Sequence, residues 1–399
     1  MIAVEEAKKI ISGKVKDFGV ESISTQESIG RVLREELQAD RDLPPYNRVT
    51  MDGIAIDYRA FEMGQTDFPI AGIAAAGAAQ MKLEDPGTCF EVMTGAILPQ
   101  ATDTVIRYED LDIKGGMATI LIDGIKPKQN VHRQGEDRLA GDLLVQEGKI
   151  ISPAEMGVAA TTGKSTVEVS RLPKTLIIST GDELVPIEAT PLPHQVRRSN
   201  VFSIQASLLG LGINADTLHI NDDWESILSK LKEVVQKYEV LIFSGGVSKG
   251  KFDFLPKAFA DLGIQKLFHK VKQRPGKPFW FGEAPNGTLL FALPGNPVSS
   301  FLCTYNYILP WLRQCLKVTN APVSYARLAA DFSFKPDLTY YLQVKLAGDS
   351  NGVVWGHPVV GNGSGDLANL TDADAFLELP RGKDHFSKGE VYPLIRYRL

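Results

Sequence analysis

Between Thr175 and about Leu316 the chain alternates short apolar runs with helical stretches, and this pattern restricts the possible folds more than any other feature. The runs are TLIIS from Thr175, NADTLHI from Asn214, EVLIF from Glu239, QKLFHKV from Gln265 and TLLFAL from Thr288. These runs are strand candidates that alternate with helical stretches. The stretch from Trp224 to Tyr238 places Ile227, Leu228, Leu231, Val234 and Val235 on one helical face, with Asp222 or Asp223 available as its cap. The spacing therefore predicts an α/β domain with a doubly wound, mostly parallel sheet. In such a sheet ligands bind at the carboxyl ends of the strands.

That expectation has a corollary in the sequence: polar, glycine-bearing turns should follow the strands. Three do, at Thr180-Gly181-Asp182-Glu183, at Ser244-Gly245-Gly246-Val247-Ser248 and at Pro294-Gly295-Asn296-Pro297. Glycine lets backbone N–H groups approach an anion closely, and a helix N-terminus adds free donors and a favourable dipole. Pro297 is suited to the first position of such a helix. Any one turn reads equally well as an ordinary connection; three on one rim favour a phosphate or oxyanion site. Lys270, Arg274 and Lys277 around Pro275-Gly276 are candidate anion-binding groups, although alone they read as a solvated charged loop. Asp52, Asp182, Glu183, Asp222 and Asp253 lie in or beside turns, and carboxylates near a phosphate are what Mg²⁺ requires.

At 399 residues the chain exceeds what one core serves, so several domains are expected. Val4, Ala7, Ile11 and Val15 predict a short N-terminal amphipathic helix. Residues 46–145 read as β-rich, with turns at Asp123-Gly124 and Ala140-Gly141-Asp142. Ser152, Pro153 and Glu155 then form a helix start, and Gly163 ends that helix. After Pro322 alternating segments such as Tyr340 to Leu346 predict a small β domain. The expected division is 1–45 with 146–172 as a small α/β linking domain, 46–145 β-rich, 173–320 α/β, and 321–399 β, barrel-like.

The formal net charge of -5 lacks the basic excess of a nucleic-acid binder. No stretch approaches the ~20 apolar residues of a membrane span, and the N-terminus has no apolar leader. Cys89, Cys303 and Cys315 form no CxxC pair, which fits a reducing cytoplasm. The six scattered histidines offer no metal-ligating motif, so any metal should be held by oxygen.

Seven segments, in order, resemble one family. They are Pro45 to Ala55 (PYNRVTMDGIA), Met93 to Ala96 (MTGA), Gly135-Glu136-Asp137, Ser179 to Leu184 (STGDEL), Ser244 to Asp253 (SGGVSKGKFD), Arg274 to Pro278 (RPGKP) and Leu293 to Ser299 (LPGNPVS). The chain resembles the molybdopterin molybdenumtransferase family, which includes bacterial MoeA and the enzyme domain of gephyrin. The resemblance implies a four-domain homodimer that inserts molybdate into adenylylated molybdopterin, with Mg²⁺ assisting cleavage of the adenylate and release of AMP.

By motif, the resemblance places catalytic and metal-binding roles on Asp52, Glu183 and Asp253. It places substrate binding on Thr94, Asp182, Asp222, Gly245, Gly246, Ser248, Lys270, Arg274, Lys277, Pro294, Gly295, Asn296 and Ser364. It also implies contact with an adenylyltransferase and with molybdoenzyme recipients. A molybdopterin-binding scaffold and a molybdopterin adenylyltransferase are the competing functions, and tungstate is the competing oxyanion. Two departures stand out: Arg274 replaces a common family lysine, and Tyr340 to Val344 carries none of the arginines usual there.

Overall fold

The computed structural model describes residues 1–246, 254–319, 323–361, 363 and 365–398. The chain divides into two compact units, one of residues 35–146 with 153–165, the other of residues 1–34, 147–152 and 166–399.

The first unit contains a six-stranded mixed sheet in the order Thr104–Arg107, Gly53–Ile56, Cys89–Val92, Asp67–Ala74, Met117–Ile120, Leu111–Lys114. Gly53 pairs with Val92 on one side and Arg107 on the other. A Cβ at Gly53 would lie 1.9 Å from the Ile106 carbonyl oxygen, so only glycine allows this inner strand to start here. The helix expected after Ser152 also belongs to this unit and spans Pro153–Thr161.

The second unit begins with α1 (Val4–Ser12), whose Val4, Ala7 and Ile11 are buried as their spacing requires. Its main sheet is built, in chain order, from β1 (Thr175–Thr180), α2 (Ser199–Leu209), β2 (Asp216–Ile220), α3 (Trp224–Lys237), β3 (Val240–Ser244) and α4 (Leu255–Asp261). There follow β4 (Gln265–His269), the short β5 (Gln273–Arg274), β6 (Trp280–Glu283), β7 (Leu289–Leu293) and α5 (Pro297–Cys303). The strand order is β2-β1-β3-β7-β6-β4, and the first four strands run parallel. β6 pairs antiparallel with both β7 and β4, which makes the sheet mixed at one edge. β6 has no counterpart among the five apolar runs of the sequence.

Alternate residues of each strand enter different cores, as a pleated strand requires. Ile177, Ile242 and Phe291 pack with α1, α2 and α5. Leu176, Ile178, Leu241 and Phe243 pack with α3 and α4 on the opposite face. Helices on both faces explain why the strands read as continuous apolar runs.

The C-terminal strands β8 (Ser324–Leu328), β9 (Thr339–Gly348), β10 (Val354–Pro358), β11 (Ala375–Leu379) and β12 (Val391–Arg396) close into a barrel. Closure comes from the pairing of β9 with β11 in addition to β10. β5 adds to β9 as an outer parallel strand, with Arg274 opposite Tyr340. Among the described residues no helix is long and apolar enough to cross a membrane.

Candidate functional site

Because β1, β3 and β7 are adjacent and parallel, their carboxyl ends lie on one rim, and the three glycine-bearing turns are brought together there. A cavity of about 1060 Å³ opens on this rim. Its lining takes Thr180, Gly181 and Glu183 from the first turn, Gly245 and Gly246 from the second, and Pro294, Gly295, Asn296 and Pro297 from the third. Gly246 has φ of +70°, and a Cβ there would lie 2.8 Å from the Thr180 hydroxyl, so the close approach of these two turns needs glycine.

Arg274, the last residue of β5, and Lys277, from the loop that follows it, line the cavity. Arg197, Arg198 and Asn200, which lie outside the motifs, also line it. A short parallel pairing of Leu184–Val185 with Val196–Arg197 carries the two arginines beside the Glu183 loop. α2 begins immediately afterwards, and its N-cap residue Arg198 makes no side-chain cap. Ser199, Asn200 and Val201 at the start of α2 line the cavity, and the first amides of a helix have no acceptor within the helix itself. Asn200 braces the rim: its Nδ2 donates to Ser244 Oγ at 2.9 Å and to the Gly295 carbonyl at 2.7 Å. The signal that was available was two adjacent arginines directly before an apolar helix. Among the described residues none of Arg197, Arg198, Arg274 and Lys277 forms an ion pair. A cavity walled by four such cations attracts an anionic ligand.

The acids separate by role. Asp223 is the α3 cap, accepting from Ser226 N at 2.8 Å, and hydrogen bonds from the Ser226 hydroxyl and backbone amide hold its carboxyl below the usual range. Asp222 lines the cavity instead, and its backbone N–H donates to Asp182 Oδ1 at 3.0 Å. Asp182 thus shapes the turn while Glu183 and Asp222 face the cavity. Beneath them, His219 Nδ1 and Ser179 Oγ are 2.9 Å apart, and burial together with the Arg198 charge lowers the imidazole pKa.

Asp52 and Thr94 belong to the β-rich unit, where antiparallel pairing of Gly53 with Val92 brings them together. Asp52 Oδ1 accepts from Thr94 N at 2.6 Å, and the Thr94 hydrogen bonds lower the Asp52 pKa. Lys270 does not line the cavity; its backbone pairs with Ile2 and Phe279, at a positive φ of 72°. Ser248, Asp253 and Ser364 lie outside the described residues. Among the described residues no group of three His, Cys, Asp or Glu side chains is arranged to hold a metal.

Three family models cover most of the chain: the MoeA N-terminal region (domain I and II) over residues 2–163, a probable molybdopterin binding domain over 176–314, and the MoeA C-terminal region (domain IV) over 325–396. A molybdopterin molybdenumtransferase of Synechocystis is 40% identical, over 98% of this chain and 99% of its own. The chain belongs to the molybdopterin molybdenumtransferase family. The namesake of Bacillus subtilis is 29% identical over all of this chain and 94% of its own. A crystal structure of the molybdopterin biosynthesis MoeA protein from Pyrococcus horikosii matches the whole of both chains, with a TM-score of 0.84 at 27% identity.

Within this family of transferases, the segment without arginines is part of the cavity wall. Tyr340, Tyr341 and Gln343 of β9 line it. Tyr340 stacks on Phe334 with ring centroids 4.3 Å apart, and the Arg274 guanidinium lies 5.9 Å from the Phe334 centroid. Arg274, entering from β5, thus supplies positive charge alongside a strand that has no arginine of its own.

Proposed function

We propose that the chain inserts molybdate into adenylylated molybdopterin and releases AMP. The observation that carries this reading is the cavity at the sheet rim, lined by three glycine-bearing turns and by four cations that have no carboxylate partner among the described residues. Its volume is ample for a nucleotide joined to a pterin. The cations and the start of α2 would bind and orient the phosphates and the incoming oxyanion, with Asn200 keeping the turns in register. Molybdate and tungstate share charge and nearly share size, and the same donors would serve either.

Magnesium fits the donor set. Mg²⁺ is commonly held by substrate phosphates, waters and one or two carboxylates, and Glu183 and Asp222 present two carboxylates to the cavity. Glu183 and Asp222 would hold it; for Asp52 and Asp253 a metal role rests on the family resemblance. When bound, the ion supplies charge neutralisation at the phosphates as the adenylate bond breaks.

The test is AMP release from adenylylated molybdopterin by the purified protein, with and without molybdate and Mg²⁺. Release that requires both is the expected result. Tight binding with no release under any condition would favour a scaffold. Light scattering of the same preparation would check the homodimer that the family resemblance implies.

A further inference from the structure

The cavity wall formed by β9 differs in chemistry from the cationic rim. Side chains of β9 alternate: Leu342 and Val344 enter the barrel core, whereas Tyr341 and Gln343 point the other way, and Gln343 lines the cavity. Gln343 Oε1 is buried and has no hydrogen-bond partner among the described residues. A buried acceptor left unpaired is costly, and because Gln343 lines the cavity, a rotation of its side chain would bring this oxygen to a ligand that supplies a donor. Beside it, Val360 lines the same cavity and is 78% exposed, an apolar surface against which a flat ring can pack. The register sets the separation from Arg274, which lies opposite Tyr340: Gln343 is three residues further along the strand, about 10 Å at ~3.3 Å per residue.

We infer that Gln343 is a specificity-determining residue that recognises the neutral, amide-bearing edge of the substrate's pterin ring, not an oxyanion. The ring's N3–H and C4 carbonyl form a cyclic amide edge, and a carboxamide can accept from the one and donate to the other. The inference rests on the reading of the cavity as the molybdopterin site. It assigns the ring to the Gln343 end of β9 and the anionic groups to the rim and the Tyr340 end of that strand, where Arg197, Arg198, Lys277 and Arg274 stand.

The experiment is fluorescence titration of the full chain with 6-hydroxymethylpterin, and calorimetric titration with molybdate and with AMP, for wild type, Gln343→Leu and Gln343→Glu. Thermal melting would verify that the variants are folded. Gln343→Leu should weaken the pterin roughly tenfold, the loss of a hydrogen-bonded partner, and leave molybdate and AMP unchanged. Gln343→Glu should retain pterin binding, because a carboxylate still accepts from the ring N–H groups. Loss of molybdate binding in Gln343→Glu with pterin binding unaffected by either variant would overturn the inference. So would a wild type that binds no pterin. If the AMP-release assay failed while pterin binding remained sensitive to Gln343→Leu, the insertase reading would fall and the ring subsite would stand.

Discussion

Asn200 is the smallest part on which the rim depends, because one carboxamide bridges the second and third turns. Asn200→Ala removes two hydrogen bonds at a partly buried position. It should lower the unfolding free energy by about 1 kcal/mol in urea titration and weaken AMP binding as well. Unchanged AMP affinity would show that the turns hold their register without it. Gly53 is constrained in a different way, since its would-be Cβ meets backbone oxygen and not a movable side chain. Gly53→Ala should destabilise the β-rich unit by about 3 kcal/mol and separate Asp52 from the Thr94 amide. Proteolysis confined to residues 35–146 would report it. Gly53 and Asp52 were both visible in the PYNRVTMDGIA motif, but their reason was not. The need for glycine comes from the Arg107 strand, far along the chain.

Among the elements, α3 separates two neighbouring aspartates that the sequence left interchangeable. Asp223→Ala removes the cap and should cost about 1 kcal/mol of stability, with little effect on ligand. Asp222→Ala should reduce Mg²⁺-dependent AMP release more than it reduces the melting temperature; the reverse ranking would exchange the two roles. The strands β1, β3 and β7 were legible because burial on both faces demands apolar runs. β6 was not, since Trp280–Glu283 is four residues long and interrupted by glycine. The start of α2 was missed for a related reason: the arginines before it carry meaning only once the helix is seen to open onto the rim.

For the molecule as a whole, acid should be the sensitive direction. Arg34 hydrogen-bonds the Asp17 carboxyl and, with the Gly19 N–H, lowers its pKa from 3.8 to about 2. Lys383 and Tyr392 lower that of Glu390 from 4.5 to about 2 in the barrel. Both are depressed in the folded state, so their contribution is complete above the ordinary carboxylate range and is lost as pH falls from about 4 towards 2. Urea midpoints should decline across that window, and the decline should be shallower in an Asp17→Asn, Glu390→Gln double variant; an equal slope would refute the assignment. By itself the sequence determined the α/β order and the placement of three glycine turns at strand ends. Those properties follow from local periodicity and from residue chemistry. Only the tertiary structure decided that Arg198, Asn200, Arg274 and Gln343 share one cavity, and that β9 closes a barrel by pairing with β11. Such groupings depend on strand register and on packing between distant segments, which no local pattern encodes.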